Sequence, residues 1–336
     1  MLRRWRSASV LFAIGVAVAS ASTQAQSAVQ PLERLRLQIQ QALPAARGDV
    51  GVAVKHLESG MEIAVRADEP FPLASSYKLP ILVEVYAQQR AGKLSFDEMY
   101  QLKPNDQHIG SGDISVNFDL PGVTMNLRNL ANLMMMVSDN SATDILLTRA
   151  GAANVTARMR ALGLTNIRVD RTTQELILDY GGQDTAKLKA LSAKELRPLT
   201  RRGPETEEAR GAREERYATD PRDQASPREM NRLLELLWRG QVVDATASAE
   251  ILELMKRCRT GAARIKGLLP RDTVVAHKTG SVGGTIDDVG IIYLPHNAGH
   301  VAISVLSKRT RADSADVERV IAEVARYAYD FFVFAK

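Results

Sequence analysis

Apolar residues recur in short extended runs from Asp49 to His56 (DVGVAVKH) and from Met61 to Val65. Glu58-Ser59-Gly60 lies between them, and this arrangement predicts a β-hairpin. Leu79, Leu82, Val83 and Tyr86 fall at helical spacing, which predicts a helix over Ser76–Ala91 with Gly92 as its stop. Helices are also predicted over Leu127–Val137, Ser141–Ala150 and Asn154–Leu162, and over Pro227–Arg239 and Ala247–Lys256. Met134 to Met136 read as core rather than as a ligand set. Strand-like runs then appear at Thr273–Ala276, Val289–Leu294 and Val301–Leu306, and a last helix at Asp316–Phe334. Strands near both ends with helices between predict an α/β (α+β) fold, with a sheet layer drawn from about 26–74 and 228–336 and a helical part over about 75–227.

Two segments depart from this pattern. Between Gly182 and Asp223 the chain carries ten basic and nine acidic residues. Ser192 and Glu195 form a capping-box pair there, whereas Gly203–Arg216 (GPETEEARGAREER) has almost nothing apolar to bury. That stretch reads as a solvated surface insertion. At the other extreme, Arg3, Arg4 and Arg6 precede the apolar run Val10–Ala19, and Thr23-Gln24-Ala25 offers a cleavage site. The run is too short to span a bilayer, so residues 1–25 are expected to be a secretory signal peptide rather than an anchor. Arg3-Arg4 is not followed by the remainder of a twin-arginine signal, which favours general secretion into the periplasm or medium.

The export signal changes how the charge is read. The whole chain of 336 residues carries a formal +5, which invites a nucleic-acid partner. Removing residues 1–25 takes away three arginines and no acid, leaving +2. No nucleic-acid partner and no stable membrane span are therefore expected of the mature chain, which is expected to be a monomer. At 45% hydrophobic and 25% charged the chain is an ordinary globular one. Its one cysteine, Cys258, excludes an internal disulfide and any cysteine-based zinc site.

The candidate chemistry begins at Phe71–Pro80 (FPLASSYKLP). Ser75 stands where an extended stretch passes into a helix, and Lys78 lies one turn later on the same face. A serine hydroxyl needs a base within hydrogen-bond reach before it attacks a carbonyl, and a desolvated lysine can serve. Ser138-Asp139-Asn140 follows one predicted helix, and Lys278-Thr279-Gly280 follows a predicted strand. S-x-x-K, S-D-N and K-T-G in that order form the signature of penicillin-recognising serine enzymes. On these motifs the chain resembles the class A β-lactamase family from about Val50 to its C-terminus, the charged insertion apart.

The resemblance implies a five-stranded antiparallel sheet flanked by helices, an all-helical domain, and a single catalytic unit over 26–336. It also implies roles: Ser75 as acylated nucleophile, Lys78 as its proton acceptor, and Ser138 as relay to the leaving nitrogen. Asn140 would bind the substrate's side-chain amide, Asp139 would brace its loop, Lys278 would add positive charge and Thr279 would bind the substrate carboxylate. The N–H groups of Ser75 and Ser281 would form an oxyanion hole. Arg264, within Thr260–Arg264, is the candidate for the arginine that the family keeps near the carboxylate pocket. No cofactor or metal is implied. The activity implied is that of an exported class A-type β-lactamase hydrolysing the β-lactam amide through an acyl-enzyme at Ser75, with slow deacylation where the loop departs from the family; on the alternative reading of a penicillin-binding D,D-peptidase, the substrate is a peptidoglycan stem peptide. A non-catalytic binding protein is a third reading, against which the three motifs count.

One family element is missing. The Ω-loop pattern R-x-E-x-x-L-N reads RTTQELI at Arg171–Ile177, so Thr173 replaces the deacylating glutamate and Ile177 the asparagine. Neither can activate a water, and Glu175 enters the site only through a register shift. Arg171 and Asp223 match the family's pair that closes this loop, which places the insertion over 182–222 on the active-site rim. His296 and His300 lie in a turn without a carboxylate partner nearby in sequence and are not read as metal ligands. His277 is expected to point away from Lys278, and Cys258 to be an inert buried thiol.

Overall fold

A computed structural model describes residues 31–118, 122–201 and 203–334, so the expected signal peptide at 1–25 lies outside the described residues. Strand β1 (Asp49–His56) is buried along nearly its whole length because it is paired on both edges and covered on both faces. Its neighbours are β2 (Glu62–Val65) and β9 (His300–Lys308), and the sheet continues through β8 (Thr285–Tyr293) to β7 (Val275–Val282). Every pairing is antiparallel, in the order β2-β1-β9-β8-β7. The period of two sorts the side chains between two cores. Val52, Val54, Ile303 and Val305 pack under α1 (residues 31–42) and α13 (Ser314–Phe334). Val289, Ile291, Ala302 and Leu306 face the other way, into the larger core.

That larger core is built around α2 (Lys78–Arg90), which is buried on nearly every side. Around it lie α4 (Leu127–Met136), α5 (Asn140–Ala150) and α6 (Ala152–Ala161), with α3 (Ile114–Asn117) a single turn beside α5. Helices α11 (Pro227–Trp238) and α12 (Ala245–Lys256) fill the space between this cluster and the sheet. Two short ribbons tie the loops down: β3 (Phe71–Pro72) with β6 (Gln224–Ala225), and β4 (Met99–Gln101) with β5 (Thr124–Asn126). Among the described residues no helix is long and apolar enough to cross a membrane.

Two expectations are corrected. The strand expected at Thr273–Ala276 runs instead over β7, so the K-T-G motif lies inside a strand rather than after one. His277, Lys278 and Thr279 are buried there because each finds a polar partner, which an apolar-run criterion does not detect. The insertion is likewise folded. After α7 (Thr173–Tyr180), which precedes it, the insertion contains α8 (Thr185–Leu188), α9 (Ala193–Thr200) and α10 (Glu207–Thr219). The stretch expected to be solvated forms most of α10 and buries Arg213 and Glu214, with Tyr217 and Ala218 just beyond. Glu214 accepts from the Tyr180 hydroxyl and from Gly284 N, so α10 is docked by polar contacts on the β7–β8 turn.

Candidate active site

Ser75 sits in the 3-10 turn Ala74–Tyr77 that leads directly into α2, which brings Lys78 to the first position of the helix. Strand β7 crosses this turn closely. A Cβ on Gly280 would meet Leu73 O at 2.6 Å and Ser76 N at 3.0 Å, so the motif needs a glycine there for lack of space. The crossing puts Ser281 beside Ser75 on one cavity of about 280 Å³, which Ser111, Asn140, Thr173 and Ile177 also line.

Lys78 is fully buried. Its Nζ is 2.7 Å from Ser138 O, 2.8 Å from Asn140 Oδ1 and 3.2 Å from Ser138 Oγ. Burial, reinforced by the charge of Lys278, holds its pKa well below the usual lysine range, while Asp144 and Asp139 oppose the shift. A neutral amine in this position keeps its two hydrogens on the two carbonyl oxygens and turns its lone pair towards a hydroxyl. Lys278 Nζ reaches the same Ser138 Oγ at 3.0 Å and donates to Thr279 O at 2.8 Å. Its pKa is brought down to about 8 by burial, with Arg264 adding to the shift and Cys258 and Asp288 opposing it. The Ser138 hydroxyl thus bridges two lysines, on a residue held at a left-handed φ of 58°.

Asp139 caps α5 through Ala142 N at 2.9 Å and takes Ile114 N at 2.8 Å, a bracing position. Asn140 Nδ2 donates to Ile109 O at 2.8 Å, which leaves one N–H of the amide for another acceptor. Thr279 Oγ1 lies 2.6 Å from Thr260 Oγ1. Arg264 is brought to the same corner: Nη2 donates to Ser281 Oγ at 2.6 Å, and Nη1 to Gly280 O and Asp287 O. The neck of the loop is closed by Arg171, whose Nε meets Asp223 Oδ2 at 2.6 Å and whose Nη1 meets Asp179 and Asp220.

Glu175 is not brought to this cavity. It occupies the third position of α7, and its Oε2 accepts from Thr172 N and Oγ1, both at 3.1 Å, while Oε1 pairs with Lys189. The capping box turns the carboxylate back to the helix start, so the register shift that would recruit it does not occur. Thr173 stands where the glutamate would be, donating N–H to Asp144 Oδ1 at 2.6 Å and its hydroxyl to Oδ2 at 2.8 Å. Ile177 and Leu176 present an apolar wall.

Several participants were not legible in the sequence. Ser111, in the loop before α3, donates to Ser138 O at 2.7 Å. Asp144 also pairs with His108 at 2.5 Å, which offsets burial and raises the histidine pKa. His277 does point away from Lys278, into a buried pair with Asp288 at 2.9 Å that lifts it to about 9 against the effect of burial. Cys258, expected to be inert, lies beside that pair. Burial would push its thiol up, but His277, with Lys278 and Thr260, brings it down to about 6. The coupling is tertiary, so no local pattern announces it. Among the described residues no group of three or more His, Cys, Asp or Glu is placed to hold a metal ion.

The family model described as the β-lactamase enzyme family matches residues 34–332. The chain is 27% identical to the β-lactamase SME-1 of Serratia marcescens, over 96% of both chains. An ancestral (GNCA) class A β-lactamase superposes with a TM-score of 0.69 at 26% identity, covering 87% of this chain and 98% of that one. A mutant of PBP-A, solved as an acyl-enzyme with penicillin G, gives 0.69 at 23% identity over 90% and 97%, a likeness of fold. With almost the whole described chain matched and the three motifs brought together at the Ser138 hydroxyl, the protein belongs to the β-lactamase enzyme family, as a class A-type member.

Proposed function

We propose that this protein is an exported serine hydrolase that β-lactams acylate at Ser75 and that releases the acyl group slowly. The observation that carries the reading is the buried Lys78 amine, held between Ser138 and Asn140 next to the Ser75 turn. In the first step Ser75 Oγ attacks the lactam carbonyl and its proton passes to Lys78 Nζ. The oxyanion is held by the N–H groups of Ser75 and Ser281. The C–N bond then breaks, the Ser138 hydroxyl gives its proton to the leaving nitrogen, and Lys78 restores that proton, so the lysine ends neutral. Lys278, Thr279 and Arg264 surround the position of the substrate carboxylate.

Release of the ester requires a base and a water, and neither is provided in the family's way. Thr173 is tied to Asp144, Glu175 faces elsewhere, and Ile177 fills the place of a water-holding amide. These same features favour a second reading, a penicillin-binding protein of the D,D-peptidase type acting on peptidoglycan stem peptides. A mutant of PBP-A, whose fold is similar, was solved as an acyl-enzyme complex with penicillin G.

Rapid mixing with a chromogenic cephalosporin, read beside intact-protein mass, tests both. A stoichiometric burst with a persistent adduct, absent in Ser75→Ala, is the expected result. Steady turnover at β-lactamase rates overturns slow release, and no adduct with any lactam overturns acylation itself.

A further inference from the structure

The chain's one cysteine is joined to Thr279 through a single hydroxyl. Cys258 follows α12 and is buried, and its Sγ is 3.3 Å from Thr260 Oγ1. Thr260 Oγ1 is in turn 2.6 Å from Thr279 Oγ1. These three groups form a chain that ends on the hydroxyl placed against the substrate carboxylate in the reading above. Gly261 sets the rotamer of Thr279. A Cβ there would lie 2.4 Å from Thr279 Cγ2, at a φ of 68°, so the methyl fits only over a glycine and the hydroxyl stays on Thr260.

A hydroxyl has one proton, so each link of the chain has a direction. A thiolate only accepts. Thr260 then gives its proton to sulfur and takes that of Thr279, whose lone pairs are left for the pocket. A thiol donates to Thr260, Thr260 donates to Thr279, and the Thr279 proton is free for a carboxylate. The two states of sulfur thus present opposite sides of one hydroxyl to an anion.

The groups facing Cys258 bring its ionisation into an accessible range. His277 and Lys278 stand on β7, and Asp288 of β8 holds His277 Nδ1 at 2.9 Å, leaving the buried Nε2 without an oxygen partner. Lys266 Nζ lies 3.5 Å from Cys258 O, and Arg264 is held on Ser281 and Gly280. Helix α4 meets the segment through the uncharged Met136 O, which accepts from Arg259 N at 2.8 Å. Burial opposes ionisation of the thiol, and His277, with Lys278 and Thr260, overcomes it and brings the pKa to about 6. Below that pH the group is a thiol, and above it a thiolate.

We propose that Cys258 is a positioning residue for acylation, whose proton, relayed by Thr260, sets whether Thr279 donates to the substrate carboxylate. The inference rests on the acylation of Ser75 and on the carboxylate position proposed above. Linkage makes the effect reciprocal: the thiol favours a bound carboxylate, and a bound carboxylate favours the thiol.

The test measures second-order acylation rates, from absorbance and intact mass, for a cephalosporin with a free ring carboxylate and for its methyl ester. The range from about pH 5 to 7 lies below the Lys278 limb near 8. In the wild type the acid-to-ester ratio falls about tenfold as pH rises through about 6, the size of one hydrogen bond to a charged group. In Cys258→Ser, which donates at every pH, the ratio stays at its low-pH value throughout. Thr260→Val cuts the chain but keeps the ionising thiol, and it too gives a ratio independent of pH. The ester rate in each variant reports that the protein is folded and competent. Ultraviolet absorbance of the thiolate, read against Cys258→Ser, follows the titration itself, and its midpoint rises in the adduct of the acid but not in that of the ester. A flat ratio in the wild type, or a limb unchanged in Cys258→Ser, overturns the proposal and leaves acylation standing. A limb that is lost in Cys258→Ser but persists in Thr260→Val shows charge acting without the relay and also overturns it. No adduct with either compound overturns the proposal and the acylation reading together.

Discussion

Ser138 is the residue on which the two lysines converge, and their different environments separate their tasks. Lys78 is desolvated and next to a second cation, which favours the neutral base, whereas Lys278 retains its proton up to about pH 8. A lysine whose pKa is lowered is charged below that value and neutral above it. Acylation by a carboxylate-bearing lactam is therefore expected to weaken as pH rises through about 8. A profile from pH 6 to 10 checks this, and Lys278→Arg, which stays charged, carries the limb to higher pH if the assignment is right. Deacylation gives a second prediction at this scale. Glu175→Gln leaves the release rate as it is, because the carboxylate serves the α7 cap. Thr173→Glu combined with Ile177→Asn raises release at least about tenfold by restoring base and water site. Adduct lifetime by mass decides both, and a large loss of release in Glu175→Gln would falsify the first. Ser75, the two lysines and the missing glutamate were all legible as residue types at fixed spacing. Ser111 and Asp144 were not, because their roles come from the crossing of loops remote in sequence.

At the scale of elements, the insertion differs most from its sequence reading. GPETEEARGAREER offers little apolar surface, yet α10 is docked by Glu214, which takes the Tyr180 hydroxyl and Gly284 N. Tyr180 in turn packs edge-on against Tyr217 and lines the cavity beside Ser75. Glu214→Ala leaves a buried hydroxyl and a backbone N–H without their acceptor, at an expected cost of about 1–3 kcal/mol. Glu214→Gln, which retains an acceptor, loses less. Denaturant melts of the two variants give the comparison, and equal stability of Glu214→Ala and wild type would show that the docking contributes nothing. The predicted helices of the catalytic body matched their elements within a few residues because each buries a continuous apolar face. α10 did not match because a charged helix that packs through a buried carboxylate has no apolar signature.

For the whole molecule, the sheet and the helical cluster meet along β7, α2 and α5, and the cavity lies where their side chains converge. The inserted loop is attached across this junction by the Arg171–Asp223 pair, with Asp179 and Asp220 on the same guanidinium. Asp223 is buried and also accepts from Asp170 N and Arg171 N. Asp223→Ala leaves a buried guanidinium short of its closest partner and is expected to cost about 3–5 kcal/mol, with faster proteolytic cleavage between α9 and α10. Thermal melts and limited proteolysis measure these effects, and an unchanged melting temperature with unchanged cleavage would remove the pair from its role in closure.

The sequence by itself determined the fold family and which motif residues are candidates for the chemistry. Hydrophobic periodicity and short motifs are local, and they survive wherever the chain packs its core in the same way. The direction of Glu175, the effect of His277 on the Cys258 thiol and the docking of α10 were decided only by tertiary structure. Each depends on residues far apart in the chain whose partners are set by how the loops cross. Burial then fixes their charge, since in a water-poor site a polar group is governed by the few atoms that touch it.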